Sequence, residues 1–409
     1  MRTALTNPFT PGADTIPTIW AGRTRHVRDW QDVVRPRRLA GLPERGRTIL
    51  GEAGVGKSAL VRRIAELADA DGDWVTPQLR MPTGSDPLKK LAAALLGLAD
   101  RAGLASSREH RIGEMLARVR GVSGAGIGVE LDRGSGPEPY VALTELLVEI
   151  GQRAIQHDVC VLIHLDEIQN VTDDDALSQL LICLGDALAF EADVSVPGGR
   201  VSRLLPIAVY LTGLPDFADM AGAKKGATFA RRFATTTLAP IDDDDLRLAL
   251  HDFVSTGWPV ADSRGEVGRV RMEPAAVDLV IALCRGEPFL FQLVGDRAWY
   301  AGEEDVISAA DVRSGWLQAR PEAAAHVERI LGRLPDREMQ MLEAMATLPP
   351  EQRTATAIAR AMDFASASQA GPTARRLDTV RGIIDRGKLH SFRHRAIEAY
   401  LTSDWPDVV

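Results

Sequence analysis

Gly51-Glu52-Ala53-Gly54-Val55-Gly56-Lys57-Ser58 fits the pattern G-x-x-x-x-G-K-[ST] at every fixed position. A stretch of this kind can cradle phosphate. Its glycines let the backbone turn tightly and aim successive N–H groups inward, and a helix starting at its end adds positive potential. Glu52, Ala53, Gly54, Val55, Gly56, Lys57, Ser58 and Ala59 are the expected nucleotide contacts. In such a cradle Lys57 reaches the β- and γ-phosphates and Ser58 holds Mg²⁺. The plain alternative is a Gly-rich turn between a strand and a helix. A second chemical stretch, Asp166-Glu167-Ile168-Gln169-Asn170, follows the apolar run 159–165. Acidic residues at the carboxyl end of a central parallel strand are expected beside the phosphate loop of a doubly wound sheet. There Asp166 holds the Mg²⁺ hydration shell, and Glu167 orients and polarises the attacking water.

The elements that must position these groups are legible as hydrophobic patterns. Thr48-Ile49-Leu50 reads as a buried strand, and Leu60, Ile64 and Leu67 have helical spacing after the loop. Residues 74–79 read as a second strand, followed by a Met81-Pro82-Thr83 step and a helix over 87–99. The run 159–165 is apolar throughout, as in a strand buried on both faces. Another such strand spans 204–211 and ends at Thr212-Gly213-Leu214-Pro215. A helix is expected over 140–157, and Asp173-Asp174-Asp175 is expected to cap the next. Between them, residues 121–139 hold six glycines around a strand-like Ile127–Leu131. That segment reads as an inserted hairpin or loop with little positive charge.

The 409 residues suffice for two or three domains. Hydrophobic content of 45% and charged content of 25% are those of a soluble globular protein. A net charge of −8 argues against a generic polyanion binder, so nucleic acid would need a local patch. Cys160, Cys183 and Cys284 stand singly in apolar segments without metal spacing, as buried thiols of a reducing cytosol do. No membrane partner is expected, and the expected location is cytoplasmic.

Residues 1–19, with Pro8, Pro11 and Pro17, read as an extended arm, and a helical pattern runs through Val33. From Arg23 to Arg47 there are eight Arg against three acids, a solvated face or a nucleic-acid patch. From Asp242 to about Arg320 the pattern reads as all helical. Residues 335–409 read as helices over 335–346, 354–364 and 372–386, then a wing-like hairpin over 387–394. On the third helix Leu377, Val380 and Ile384 mark the core face, leaving Arg375, Arg376, Thr379 and Arg381 for a DNA groove or a protein partner.

These motifs together resemble the AAA+ ATPases of the origin-recognition and STAND branch. The Met81-Pro82-Thr83 step and the Asp-Glu-x-Gln stretch are also similar to transposon target-selection ATPases. The resemblance implies an α/β fold: a P-loop NTPase αβα sandwich over 20–240 after an arm (1–19), an α-helical lid over 241–325, and a winged-helix domain over 326–409. It implies that Gly22 and Arg23 contact adenine, that Thr212 is sensor 1 on the γ-phosphate or the attacking water, and that Pro288 of Gly286-Glu287-Pro288-Phe289 belongs to the lid's nucleotide contacts. Phe229-Ala230-Arg231-Arg232-Phe233, before Leu238-Ala239-Pro240-Ile241, resembles the stretch that carries an arginine finger; Arg232 is the first choice and Arg231 the second. Phe289 stands where some members place a sensor 2 arginine; Arg285 and Arg297 read as surface residues first and as substitutes second. The implied activity is hydrolysis of ATP to ADP with Mg²⁺ by a homo-oligomeric ring or filament. The implied partner is either DNA, through the winged helix, or a protein, in a signalling or defence switch.

Overall fold

The computed structural model describes residues 2–12, 15–104, 117, 139–217, 232–261 and 267–407. The Gly-rich segment expected as an insertion and Arg231 lie outside the described residues. The chain divides into two compact units. One comprises residues 1–23, 51–59 and 237–409, and the other residues 24–50 and 60–236.

The second of these units is built on a sheet. Its strands are β1 (Gly46–Leu50), β2 (Trp74–Val75), β3 (Leu79–Arg80), β4 (Val161–Asp166), β7 (Ile207–Gly213) and β8 (Phe233–Thr237). Strand order is β2-β4-β7-β1-β8, with β3 also on β4. β1 pairs β7, β7 pairs β4, and β4 pairs β2 and β3, all in parallel. Every residue of β4 and β7 is buried, which is why both are near-continuous apolar runs. Parallel pairing brings the tips of β1, β4 and β7 to one edge of the sheet. Helices α1 (Thr24–Arg28), α2 (Arg35–Leu39), α3 (Lys57–Ala70), α4 (Pro87–Arg101), α5 (Pro139–His157) and α6 (Asp174–Ala189) accompany it. α4 and α6 start where Asp86 and Asp173 accept backbone N–H groups two and three residues ahead. Leu91, Leu95, Leu143, Leu147, Leu180 and Leu184 pack into the core with β4 and β7. The expected strand over 74–79 is broken at Thr76-Pro77-Gln78 into β2 and β3, since proline cannot donate to a ladder. β5 (Glu191–Val196) and β6 (Gly199–Leu204) form an antiparallel hairpin that the pattern reading missed. Its signal was present: alternating residues flank Pro197-Gly198-Gly199, and both glycines have positive φ.

The other unit is mostly helical: α7 (Asp243–Ala249), α8 (His251–Ser255), α9 (Pro274–Cys284), α10 (Pro288–Tyr300) and α11 (Ala309–Leu331), then α12 (Asp336–Thr347), α13 (Ala355–Ala361), α14 (Ala367–Thr379) and α15 (Arg395–Thr402). The stretch from Asp242 to Arg320 is not all helix. β9 (Trp258–Ala261), β10 (Val267–Met272) and β11 (Val306–Ile307) form a small sheet. Val270 and Met272 point inward and Arg269 and Arg271 outward, a period of two that overrides the helical reading. α11 runs unbroken across the boundary expected at 325/326. The helix expected over 372–386 instead starts at Ala367, behind a Ser366–Gln369 capping box, and contains Pro372. It ends at Thr379, so Ile384 belongs to β12 (Ile384–Asp385), which pairs antiparallel with β13 (Ser391–Phe392).

Among its described residues the N-terminal arm has no regular helix or strand, yet it is fixed to this unit. Phe9 is buried, stacked on Phe253 at 5.8 Å and edge-on to Phe291 at 6.2 Å. A Cβ at Gly295 would fall 2.2 Å from the Phe9 ring, so glycine is required there by close approach. Asn7 donates to Asp296, and the Trp299 indole donates to the Thr3 carbonyl. Phe9→Ala should cost about 3–5 kcal/mol in urea unfolding, because a buried ring leaves a cavity that the helices cannot close. An unchanged midpoint would mean that the arm is dispensable.

Candidate phosphate-binding site

The loop after β1 turns left-handed at Gly54 (φ 83°) and Gly56 (φ 86°), conformations that cost L-residues steric strain. Ala53 and Gly54 are exposed, and Gly56, Lys57, Ser58 and Ala59 are half-buried, so a ligand can reach the loop. The Lys57 ammonium donates to the carbonyls of Gly51 and Glu52 at 2.8 and 2.9 Å. Three other parts of the same unit hold the loop. The Arg23 guanidinium donates to the Val55 carbonyl at 2.9 Å and to the Ala239 carbonyl at 2.7 Å. The Phe289 N–H donates to the Gly54 carbonyl at 3.2 Å. Arg333 forms an ion pair with the Glu52 carboxylate. A Cβ at Gly54 would lie 2.4 Å from the His326 ring, whereas at Gly56 it would meet only Pro288 at 3.7 Å. Gly22 (φ 63°) and Arg23 (φ 64°) form a left-handed turn packed against Ile241 and Asp245. Arg23, expected as an adenine contact, is thus tied to the backbone of the loop.

Beneath Pro288 lies a buried titratable cluster that sequence reasoning missed. Glu287, immediately before α10, is fully buried, and His394 Nε2 stands 3.3 Å from its carboxylate. Burial pushes Glu287 up to about 7, opposed by Arg23 and Arg395. Burial pushes His394 down to about 4. His326 is pushed down to about 3 by burial, and the nearby His394, Arg329 and Arg333 add to it. Both imidazoles are therefore neutral at pH 7. Burial also lowers Arg23 to about 10, against the pull of Glu287, Asp245 and Asp242.

In the sheet unit, the tip of β4 presents the acidic pair. Asp166 is 3% exposed, and three donors fix its carboxylate. The Thr212 hydroxyl and the Glu167 N–H donate to Oδ1, and Gln78 Nε2 donates to Oδ2 at 2.7 Å. Arg62 in turn donates to Gln78 Oε1 at 2.5 Å. Thr212, expected to meet the γ-phosphate or water, is only 1% exposed, and its hydroxyl donates to Asp166. Glu167 has φ 57°, and its side chain is 44% exposed. Its carboxylate accepts from Asn170 at 3.3 Å and lies 3.9 Å from Arg80. Gln169 accepts the Leu214 N–H at 3.0 Å and so ties the tips of β4 and β7 together.

The expected arginines fare differently. Arg232 lies over Gly185 and pairs with Asp186 at 2.6 Å within its own unit, so as a finger for a neighbour it is already engaged. Arg381 was expected to be exposed but is buried, and with Arg376 it is bonded to the buried Glu338 at 2.8 and 2.9 Å. A buried carboxylate must be paired, and that requirement removes Arg381 from any groove-facing surface. Arg375 and Thr379 remain exposed. In the Arg-rich segment, Arg35 pairs with Asp73, Arg37 with Glu44, and Arg47 with Asp29 and Glu44. The buried Arg38 donates to the Leu188 carbonyl. Of the sensor 2 substitutes, Arg297 pairs with Glu322 and Asp296, and Arg285 sits in the left-handed turn after α9.

Among the described residues, no group of three or more His, Cys, Asp or Glu could hold a metal ion unaided. Also among the described residues, no helix is long and apolar enough to cross a membrane.

No protein-family model matches the sequence, and no curated protein matches it. Among solved structures, the chain is similar to the ORC2 protein of Aeropyrum pernix in its ADPNP–ADP complexes, at 16% identity and a TM-score of 0.54, over 96% of this chain and 95% of that one. It also aligns with the ADP form of that protein at 15% identity and a TM-score of 0.48, over 96% and 98% of the two chains. A variant of Thermotoga maritima RuvB aligns at 13% identity and a TM-score of 0.43, over 97% and 99%. The likeness is one of fold alone, and the first of the three carries it.

The buried cluster makes stability depend on pH. Glu287 is raised from its ordinary 4.5, so the folded chain keeps a proton that the unfolded chain releases. Stability should therefore fall as pH rises through that window. His326 and His394, both lowered, act with the opposite sign below their ordinary 6.5. Glu287→Gln should match the wild type near pH 4.5 and exceed it by roughly 3 kcal/mol above pH 7 in urea unfolding. An equal difference at both pH values would contradict the assignment.

Proposed function

We propose that this protein is a Mg²⁺-dependent ATPase that works as a nucleotide-controlled switch. The observation that carries the reading is the loop itself: left-handed at Gly54 and Gly56, open to solvent, with Lys57 folded into it. Its support from comparison is a fold shared with a protein solved with ADPNP and ADP. In this reading the loop N–H groups and Lys57 bind the β- and γ-phosphates, and Ser58 and Asp166 hold the metal. Bound Mg²⁺ would neutralise charge on the phosphates. Thr212 and Gln78 keep Asp166 in one orientation, and the half-exposed Glu167 takes a proton from the attacking water. ATP-dependent head-to-tail assembly into a ring or filament belongs to the proposal. Arg232, then Arg231, are the candidates for an arginine acting across such an interface; the pairing of Arg232 with Asp186 supports the competing reading, an arginine that simply pairs with a surface carboxylate.

For the target of the switch, the first reading is DNA, bound through a C-terminal winged helix on the face of Arg375 and Thr379. A specific observation favours the second reading, control of a partner protein without DNA. Arg35, Arg37, Arg38, Arg47, Arg376 and Arg381 all bond within the fold.

Glu167→Gln should retain ATP binding and lower turnover by about a hundredfold or more, because it removes the base and spares the loop. Unchanged turnover would mean that another group activates the water. In DNA titrations across salt, the first reading expects Arg375→Ala to reduce the log–log slope by about one. The absence of salt-dependent binding, with and without ATP, would leave the second reading.

A further inference from the structure

Glu52 places a carboxylate inside the phosphate loop. It occupies the second position of the loop, only 5% exposed, where a triphosphate brings several negative charges. A carboxylate so placed repels that ligand, and in a partly buried setting the repulsion is poorly screened. The structure answers with Arg333. This residue lies in the turn after α11, where the Gly332 and Arg333 N–H groups bond back to Glu328 and Ile330, and its side chain is 35% exposed. Its guanidinium is directed onto the Glu52 carboxylate. The imidazole nearest the loop, His326, is neutral at pH 7 and brings no charge of its own.

We infer that Arg333 is a positioning residue for nucleotide binding: it pairs with the Glu52 carboxylate and offsets its charge, so that the loop accepts a polyphosphate. The inference rests on the reading that the loop binds ATP. Because Arg333 acts on Glu52 and not on the nucleotide, its loss should affect ATP and ADP alike and should be reversed by removing the Glu52 charge.

The test is a titration of fluorescent ATP and ADP analogues into the full-length wild type and four variants, with thermal melting of each. Arg333→Gln should weaken both nucleotides by about tenfold or more, and Arg333→Lys should stay within about threefold of wild type. Glu52→Gln alone should tighten binding, and Glu52→Gln/Arg333→Gln should return to within about threefold of wild type. Wild-type affinity in Arg333→Gln would overturn the inference. So would a double variant as weak as Arg333→Gln, or a loss confined to ATP, either of which would place Arg333 on the nucleotide itself. If Arg333→Gln does not fold, Glu52→Gln decides, because a tenfold loss there contradicts the charge argument. A wild type that binds neither nucleotide would remove the ATP reading. A wild type that binds both beside an unweakened Arg333→Gln would remove this inference alone.

Discussion

A backbone that turns left-handed at Gly54 and Gly56 has carbonyl groups that neither a helix nor a strand can bond. Much of the unit containing the loop can be understood from how those carbonyls are satisfied. Lys57 takes those of Gly51 and Glu52, the Phe289 N–H takes that of Gly54, and Arg23 takes that of Val55. Each donor has its own requirement. Arg23 needs the Gly22 turn against Ile241, and Phe289 needs α10 to begin at Pro288. Placing α10 there buries Glu287, and the buried carboxyl needs Arg23, Arg395 and His394 around it. The loop geometry and the titration of a distant-looking cluster are therefore one problem.

The sheet unit meets a parallel constraint at the tip of β4. An acid buried to 3% must have its oxygens bonded, and Thr212, Gln78 and the Glu167 N–H do this. The result is a carboxylate fixed in orientation beside a second, half-exposed one at Glu167. Burial separates their chemical uses: Asp166 suits a fixed acceptor, and Glu167 can still reach water.

The frame is legible where one stretch of sequence carries the whole signal. The glycine turn after β1, the buried runs of β4 and β7 and the placement of residues 166 and 167 at the tip of β4 are of that kind. Where the signal is local but weak, the pattern misleads. The short alternation of β10 is lost in its helical surroundings, and Pro372 points to a helix start although Ser366 and Gln369 form the cap. What was not legible was pairing across long separations. Gln78 reaches Asp166 across 88 residues, and Arg333 reaches Glu52 across 281. The composition of a basic segment likewise says nothing of its partners. Arg376 and Arg381 look like a DNA-facing pair until Glu338 is found beneath them.

The central claim is that the glycine loop is a nucleotide site. Calorimetric titration of ATP with Mg²⁺ into the wild type and into Lys57→Ala tests it most directly. The account predicts one saturable site per chain in the wild type. It predicts loss of that site in Lys57→Ala, whose ammonium donates to the Gly51 and Glu52 carbonyls within the loop. No saturable heat in the wild type, or equal affinity in both proteins, would contradict it.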